Sequence, residues 1–143
     1  MDALNGLQIL VVEDDEDNRV LLSLILAEQG MKVVCACSAS EALAALAVKP
    51  DLLISNIRMP EEDGISLIRR VRKLSAEEGG HIPAIALSTL VTQQDQQQAL
   101  AAGYQVFIPK PYDIDELLRI VADVGVTRRY SCLQLNQADI SMG

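Results

Sequence analysis

Glu13-Asp14-Asp15, Asn56, Ser88-Thr89, Phe107 and Lys110-Pro111 lie far apart in the chain, yet each sits in or directly after a short apolar run. Ile9 to Val12 precedes the acids, Asn56 stands in Ile54-Ser55-Asn56-Ile57-Arg58-Met59-Pro60, and Ala84 to Leu87 precedes Ser88. Acids, a hydroxyl and an ammonium are together the groups that handle a phosphoryl group. The acids hold a cation, while the hydroxyl and ammonium meet the anionic oxygens. Only Asn56 is the wrong residue type for such a site, since an amide oxygen is a far weaker nucleophile than a carboxylate.

Groups this far apart in sequence need a scaffold that gathers strand ends. Apolar runs near 8–12, 32–37, 51–55, 83–88 and 105–108 alternate with stretches of helical period near 16–29, 39–48, 65–74, 93–102 and 113–124. That alternation predicts an α/β fold, a doubly wound five-stranded parallel sheet with helices on both faces. Each run is nearly continuous, as strands buried on both sides require. Ser38-x-x-Glu41, Thr92-x-x-Asp95 and Asp113-x-x-Glu116 carry the pattern of helix N-caps, and Gly30 and Gly103 are placed to end the first and fourth helices. Leu21, Leu22, Ile25 and Leu26 are expected to form the buried face of the first helix. In such a sheet ligands bind beyond the carboxyl ends of the strands, where strand order reverses. All the candidate residues fall at that edge.

The chain has 143 residues and is half hydrophobic, which fits one domain over 7–126, with a lead-in over 1–6 and a polar tail or linker over 127–143. A net charge of −8 repels nucleic acid and anionic membranes, so neither is an expected partner. No apolar stretch approaches the roughly 20 residues that cross a bilayer. Cys35, Cys37 and Cys132 are odd in number and lack metal-ligand spacing, which points to a reducing cytoplasm and to thiols held in the core. His81, the sole histidine, reads as a solvated loop residue.

Taken singly, these features are ordinary: acids at a helix start, a turn asparagine, a core phenylalanine, a Lys-Pro turn. Their joint order and spacing resemble the receiver domains of two-component response regulators, over about residues 7 to 124. The Leu4-Asn5-Gly6-Leu7 lead-in and the Gly79-Gly80-His81-Ile82-Pro83 segment are similar to receivers carried by hybrid sensor kinases. The resemblance implies a flavodoxin-like receiver fold that is not itself an enzyme, with a histidine kinase or phosphotransfer protein as phosphodonor. It assigns Asp14 to direct Mg²⁺ coordination, Glu13 to a water-mediated place and the Arg58 backbone carbonyl to a third ligand, an all-oxygen set suited to that ion. It gives Ser88 and Lys110 to the phosphoryl oxygens, Ser88 and Phe107 to a conformational switch, and a cis peptide to Lys110-Pro111. It also allows a second receiver, or a second copy of the chain, on the 93–124 face.

Asn56 departs from the family pattern at the acceptor aspartate. Its shape is close to aspartate and its oxygen can still face a metal, so the expectation is weakened Mg²⁺ binding in an intact fold. Loss of one charge at about 4 Å is worth a few kcal/mol at an effective dielectric of about 20. Asp51, Asp63 and Ser55 are the neighbouring alternatives for an acceptor, but Asp51 begins its strand and Asp63 belongs with Gly64 in the following loop. Two functions follow: a phosphorelay receiver made phosphate-null at one position, or a natural pseudo-receiver acting only as an interaction module. Retention of Glu13, Asp14, Ser88 and Lys110 favours a recent or engineered change over long decay. A nucleotide-binding or phosphatase enzyme is disfavoured, because no Gly-rich loop follows the first strand and the paired-aspartate phosphatase pattern fails at Asp15-Glu16-Asp17-Asn18.

Overall fold

A computed structural model of the protein describes residues 4–125; the 127–143 tail and Cys132 lie outside the described residues. Five strands, β1 (Gln8–Val12), β2 (Lys32–Ala36), β3 (Leu52–Asn56), β4 (Ala84–Ser88) and β5 (Val106–Pro109), form one parallel sheet in the order β2-β1-β3-β4-β5. Helices α1 (Glu16–Ala27), α2 (Ala39–Ala45), α3 (Gly64–Arg72) and α4 (Gln93–Ala102) make the crossovers, and α5 runs over residues 114–125. From β1 the chain moves outward to β2, then returns across β1 to β3, so the strand order reverses between β1 and β3. That reversal opens a crevice at the carboxyl ends of these two strands.

Side-chain alternation along the strands divides the interior in two. Leu10, Val12, Leu53, Ala84 and Ala86 face one side, where they meet Ala42 of α2, Leu67, Ile68 and Val71 of α3, and Ala99 of α4. Ile9, Val11, Leu52, Ile54, Ile85 and Leu87 face the other, against Leu22 and Leu26 of α1 and Leu117 and Val121 of α5. Strands β1, β3 and β4 are buried on both faces, which is why they read as unbroken apolar runs.

Several expectations are corrected. β2 is an edge strand with two exposed and two half-buried residues, so it is not enclosed on both faces, and Cys35 and Cys37 are exposed thiols rather than core ones. Leu21 is exposed, and only Leu22, Ile25 and Leu26 of the expected set are buried on α1. The second helix tightens into a 3-10 turn at Leu46–Val48, which closes with Lys49 in the left-handed region. Thr92 and Asp95 form the reciprocal capping box. At Ser38 the first half of that pattern is present, but the Glu41 carboxylate accepts from Cys37 N–H, one residue earlier than expected. Asp113 accepts from Asp115 N–H, so this cap closes on the second helical residue. Among the described residues, no helix is long and apolar enough to cross a membrane.

Candidate functional site

β1 ends with Val12 buried, and the chain passes directly to Glu13, which is only 4% exposed, and then to the half-exposed Asp14. Two anchors hold this turn. Asp15 caps α1 by accepting from Asn18 N–H, and the Arg19 guanidinium reaches back to the carbonyls of Glu13 at 2.9 Å and Asp14 at 3.4 Å. Arg19 was not among the candidates from sequence. Its signal is only the spacing that places it one helical turn beyond the cap, above the carbonyls of the acidic loop.

Asn56 ends β3 and projects into the crevice, 9% exposed. Its Nδ2 donates to Glu13 Oε2 at 2.9 Å, to the Arg58 carbonyl at 2.8 Å and, more weakly, to Asp14 Oδ1 at 3.3 Å. Its Oδ1 accepts from Lys110 Nζ at 3.1 Å, and the same ammonium lies 3.0 Å from Glu13 Oε1. Both carboxylate oxygens of Glu13 are therefore engaged, one by the amide and one by the lysine. The ion pair is largely shielded from water, with side-chain exposures of 17% for Lys110 and 5% for Glu13. A buried pair of this kind is strongly destabilised when one partner is removed. The Lys110-Pro111 peptide is cis.

The structure thus brings together Glu13, Asp14, Asn56, the Arg58 carbonyl and Lys110. Ser88 lies beside them at the end of β4, fully buried, with its Oγ accepting from Leu90 N–H at 3.0 Å. With Arg58, Met59, Pro60, Asp63 and Asp95 it lines a groove of about 510 Å³ leading away from the cluster toward α4. Phe107 is half-buried on β5 and packs against the core beneath α2, α3 and α4. The alternative acceptors have other work: the Asp51 carboxylate accepts from Gln8 N–H at the start of β1, Asp63 caps α3, and Ser55 donates to the Asn56 carbonyl. His81 is exposed.

Two further residues shape the site from behind. Gly64, at the start of α3, approaches β3 so closely that a Cβ there would stand 2.7 Å from the Asn56 carbonyl oxygen and 2.9 Å from Ile57 Cα. Tyr104, buried in the α4–β5 connection, donates its hydroxyl to the Gly64 carbonyl at 2.8 Å. Burial drives the Tyr104 phenol well above its ordinary pKa. Tyr112 is pushed up in the same direction, first by partial burial and then by the charge of Glu13.

Two carboxylates and a carbonyl directed at one point, with an ammonium beside them, form an all-oxygen donor set that fits a hard divalent cation such as Mg²⁺. Glu13, Asp14 and the Arg58 carbonyl would hold it, and it would supply positive charge against anionic oxygens. Among the described residues no three acidic, cysteine or histidine side chains converge on a metal position, because the third oxygen here belongs to the backbone.

Fold and site together define a class, a five-stranded parallel α/β sheet whose reversal point carries an acidic pair and a lysine. The response regulator receiver domain family matches residues 9–122. The 14.6 kDa protein in the sodA1 3′ region of Leptolyngbya boryana is 44% identical over 122 residues, covering 85% of this chain and 92% of that one. The sensory/regulatory protein RpfC of Xanthomonas campestris pv. campestris is 31% identical over 127 residues, covering 88% of this chain but only 18% of that protein. Among solved structures, the receiver of sensor histidine kinase PA1611 from Pseudomonas aeruginosa PAO1, with magnesium coordinated in its active-site cleft, superposes with a TM-score of 0.76. It is 30% identical and the match covers 84% of this chain and 98% of that one. The chain belongs to the response regulator receiver domain family, the receiver modules of two-component signalling. Receivers of this family work with histidine kinases or phosphotransfer proteins.

Proposed function

We propose that this chain is a phosphate-null receiver: Asn56 stands where the acceptor aspartate of a receiver would, and the domain signals through partners without taking a phosphoryl group. The observation that carries this reading is the position of Asn56 at the end of β3, with its Oδ1 3.1 Å from Lys110 Nζ and the two acids on its other side. A carboxylate there would have a lone pair for phosphorus and a cation to balance the gathering charge. The amide is neutral, and its oxygen carries only the partial charge drawn from the nitrogen lone pair, far less than a carboxylate oxygen, so the attack fails while the surrounding fold persists.

On this reading Lys110 and Ser88 are the phosphoryl-facing donors of the unaltered site. Phe107, half-buried on β5, is the switch aromatic. The partner is a histidine kinase, a phosphotransfer protein or a second receiver, in a cytoplasmic setting, and the chain is not an independent enzyme. A second reading, a natural interaction module that has no use for phosphate, is favoured by the completeness of the Asn56 hydrogen-bond set. Among the described residues no buried side-chain nitrogen or oxygen lacks a partner.

Incubation with Mg²⁺ and acetyl phosphate, read by intact mass on the chain and on Asn56→Asp, tests both. Gain of a base-labile phosphoryl group by Asn56→Asp alone supports the phosphate-null receiver. No gain by either leaves the interaction module as the function, and gain by the unaltered chain overturns both.

A further inference from the structure

We infer that the Asn56 carboxamide nitrogen occupies the place of the divalent cation, as a neutral built-in substitute that closes the acidic pocket. The inference rests on the receiver reading in one respect, that Glu13, Asp14 and the Arg58 carbonyl are the cation's protein ligands. These three oxygens come from two different loops and share a common neighbour, Asn56 Nδ2, at 2.9, 3.3 and 2.8 Å.

The orientation of the amide is fixed by its surroundings. With Nδ2 toward the three oxygens and Oδ1 toward Lys110, every contact pairs a donor with an acceptor. Turned by half a rotation, the amide would set an oxygen against three oxygens and an NH₂ against an ammonium. Aspartate has no such favourable orientation, since both of its oxygens accept. With aspartate at this position, one carboxylate oxygen would face Glu13, Asp14 and the Arg58 carbonyl with nothing positive between them. A single nitrogen therefore converts a pocket that needs a cation into one that is complete without it.

This differs from a simple loss of charge. If Asn56 weakened metal binding only by being a poorer ligand, then removing its side chain would give no better response to metal. If instead the amide occupies the place, then Asn56→Ala vacates it, leaving Glu13, Asp14 and the Arg58 carbonyl free to bind.

Thermal unfolding of the full chain, Asn56→Ala and Asn56→Asp, with and without Mg²⁺ at constant ionic strength, separates the two. The unaltered chain is expected to show no Mg²⁺-dependent shift. Asn56→Asp should rise by about 4 °C or more once Mg²⁺ exceeds its Kd by about tenfold, and Asn56→Ala should rise by a smaller but clear amount. A Mg²⁺ shift in the unaltered chain equal to that of Asn56→Asp, or an Asn56→Ala variant as unresponsive as the unaltered chain, overturns the inference. If Asn56→Asp also fails to respond, the ligand assignment itself falls and takes the inference with it. That failure is distinct from a failed phosphorylation of Asn56→Asp that still binds Mg²⁺, which removes only the phosphorelay reading.

Should Asn56→Ala fold poorly, the side-chain NH₂ of Asn56 gives an independent measurement on the unaltered chain. Its two proton resonances in a nitrogen-correlated spectrum should be strongly protected from exchange and unmoved by Mg²⁺. An NH₂ pair that exchanges like a solvent-exposed asparagine overturns the inference.

Discussion

The Asn56 side-chain nitrogen binds Glu13, Asp14 and the Arg58 carbonyl, and a single hydroxyl makes a comparable tie behind it at Tyr104. The Tyr104 phenol ties the α4–β5 connection to the first residue of α3, next to the strand end that carries Asn56. Because burial holds its folded pKa above the unfolded value, the folded chain retains the phenolic proton to higher pH than the unfolded chain. Its contribution to stability is fully present below the ordinary tyrosine pKa of about 10. Above that pH it falls, by up to about 1.4 kcal/mol per pH unit, until the folded pKa is reached. Tyr104→Phe should cost about 1 kcal/mol at neutral pH, for the lost hydrogen bond. Urea midpoints at pH 8 and pH 11 should then fall less in the variant than in the parent, and equal alkaline losses would refute the assignment. The placement of the acids, Asn56, Ser88 and Lys110 was legible in sequence because each ends or follows a buried run at one edge of the sheet. Tyr104 and Arg19 were not, because their roles depend on reaching backbone carbonyls, which leave no residue-type signature.

Helix α3 shows how an element is set by what holds its two ends. Asp63 caps its start, Gly64 presses it against β3, and at its far end Arg72 donates to the carbonyls of Gly80, Ile82 and Gly103 and to Gln105 Oε1. The half-buried Arg72 guanidinium thus joins α3 to the approaches of β4 and β5. Gly64→Ala sets a Cβ against backbone rather than against a movable side chain, so α3 or the end of β3 must shift. The expected cost is about 2 kcal/mol by chemical denaturation, with altered amide resonances at Asn56 and Ile57. An unchanged midpoint would mean that the contact is relieved elsewhere. Element types were legible from the sequence wherever burial was complete, as in β1, β3 and β4. They were less so where topology decides exposure, since nothing in Lys32 to Ala36 marks β2 as an edge and nothing in the apolar spacing of α1 separates exposed Leu21 from buried Leu22.

The described residues form one sheet between two cores, and the crevice that carries the site lies at the carboxyl edge of that doubly packed sheet. Leu67 and Leu26 are each fully buried, the first beneath α3 and the second beneath α1, on opposite sides of the sheet. Leu→Ala at either position should cost about 2–5 kcal/mol, a large part of the roughly 5–15 kcal/mol that holds a domain of this size together. Because β1, β3 and β4 contribute alternate side chains to both cores, neither face can lose its packing while the sheet survives for the other. Unfolding should therefore be a single cooperative event. Amide hydrogen exchange provides the test. Leu67→Ala should lower the protection of the slowest α1 amides as much as that of the slowest α3 amides, although α1 does not touch the altered core. Leu26→Ala should produce the mirror result. Loss of protection confined to the altered face would mean that the two layers open independently, and the crevice between β1 and β3 could then loosen without global unfolding.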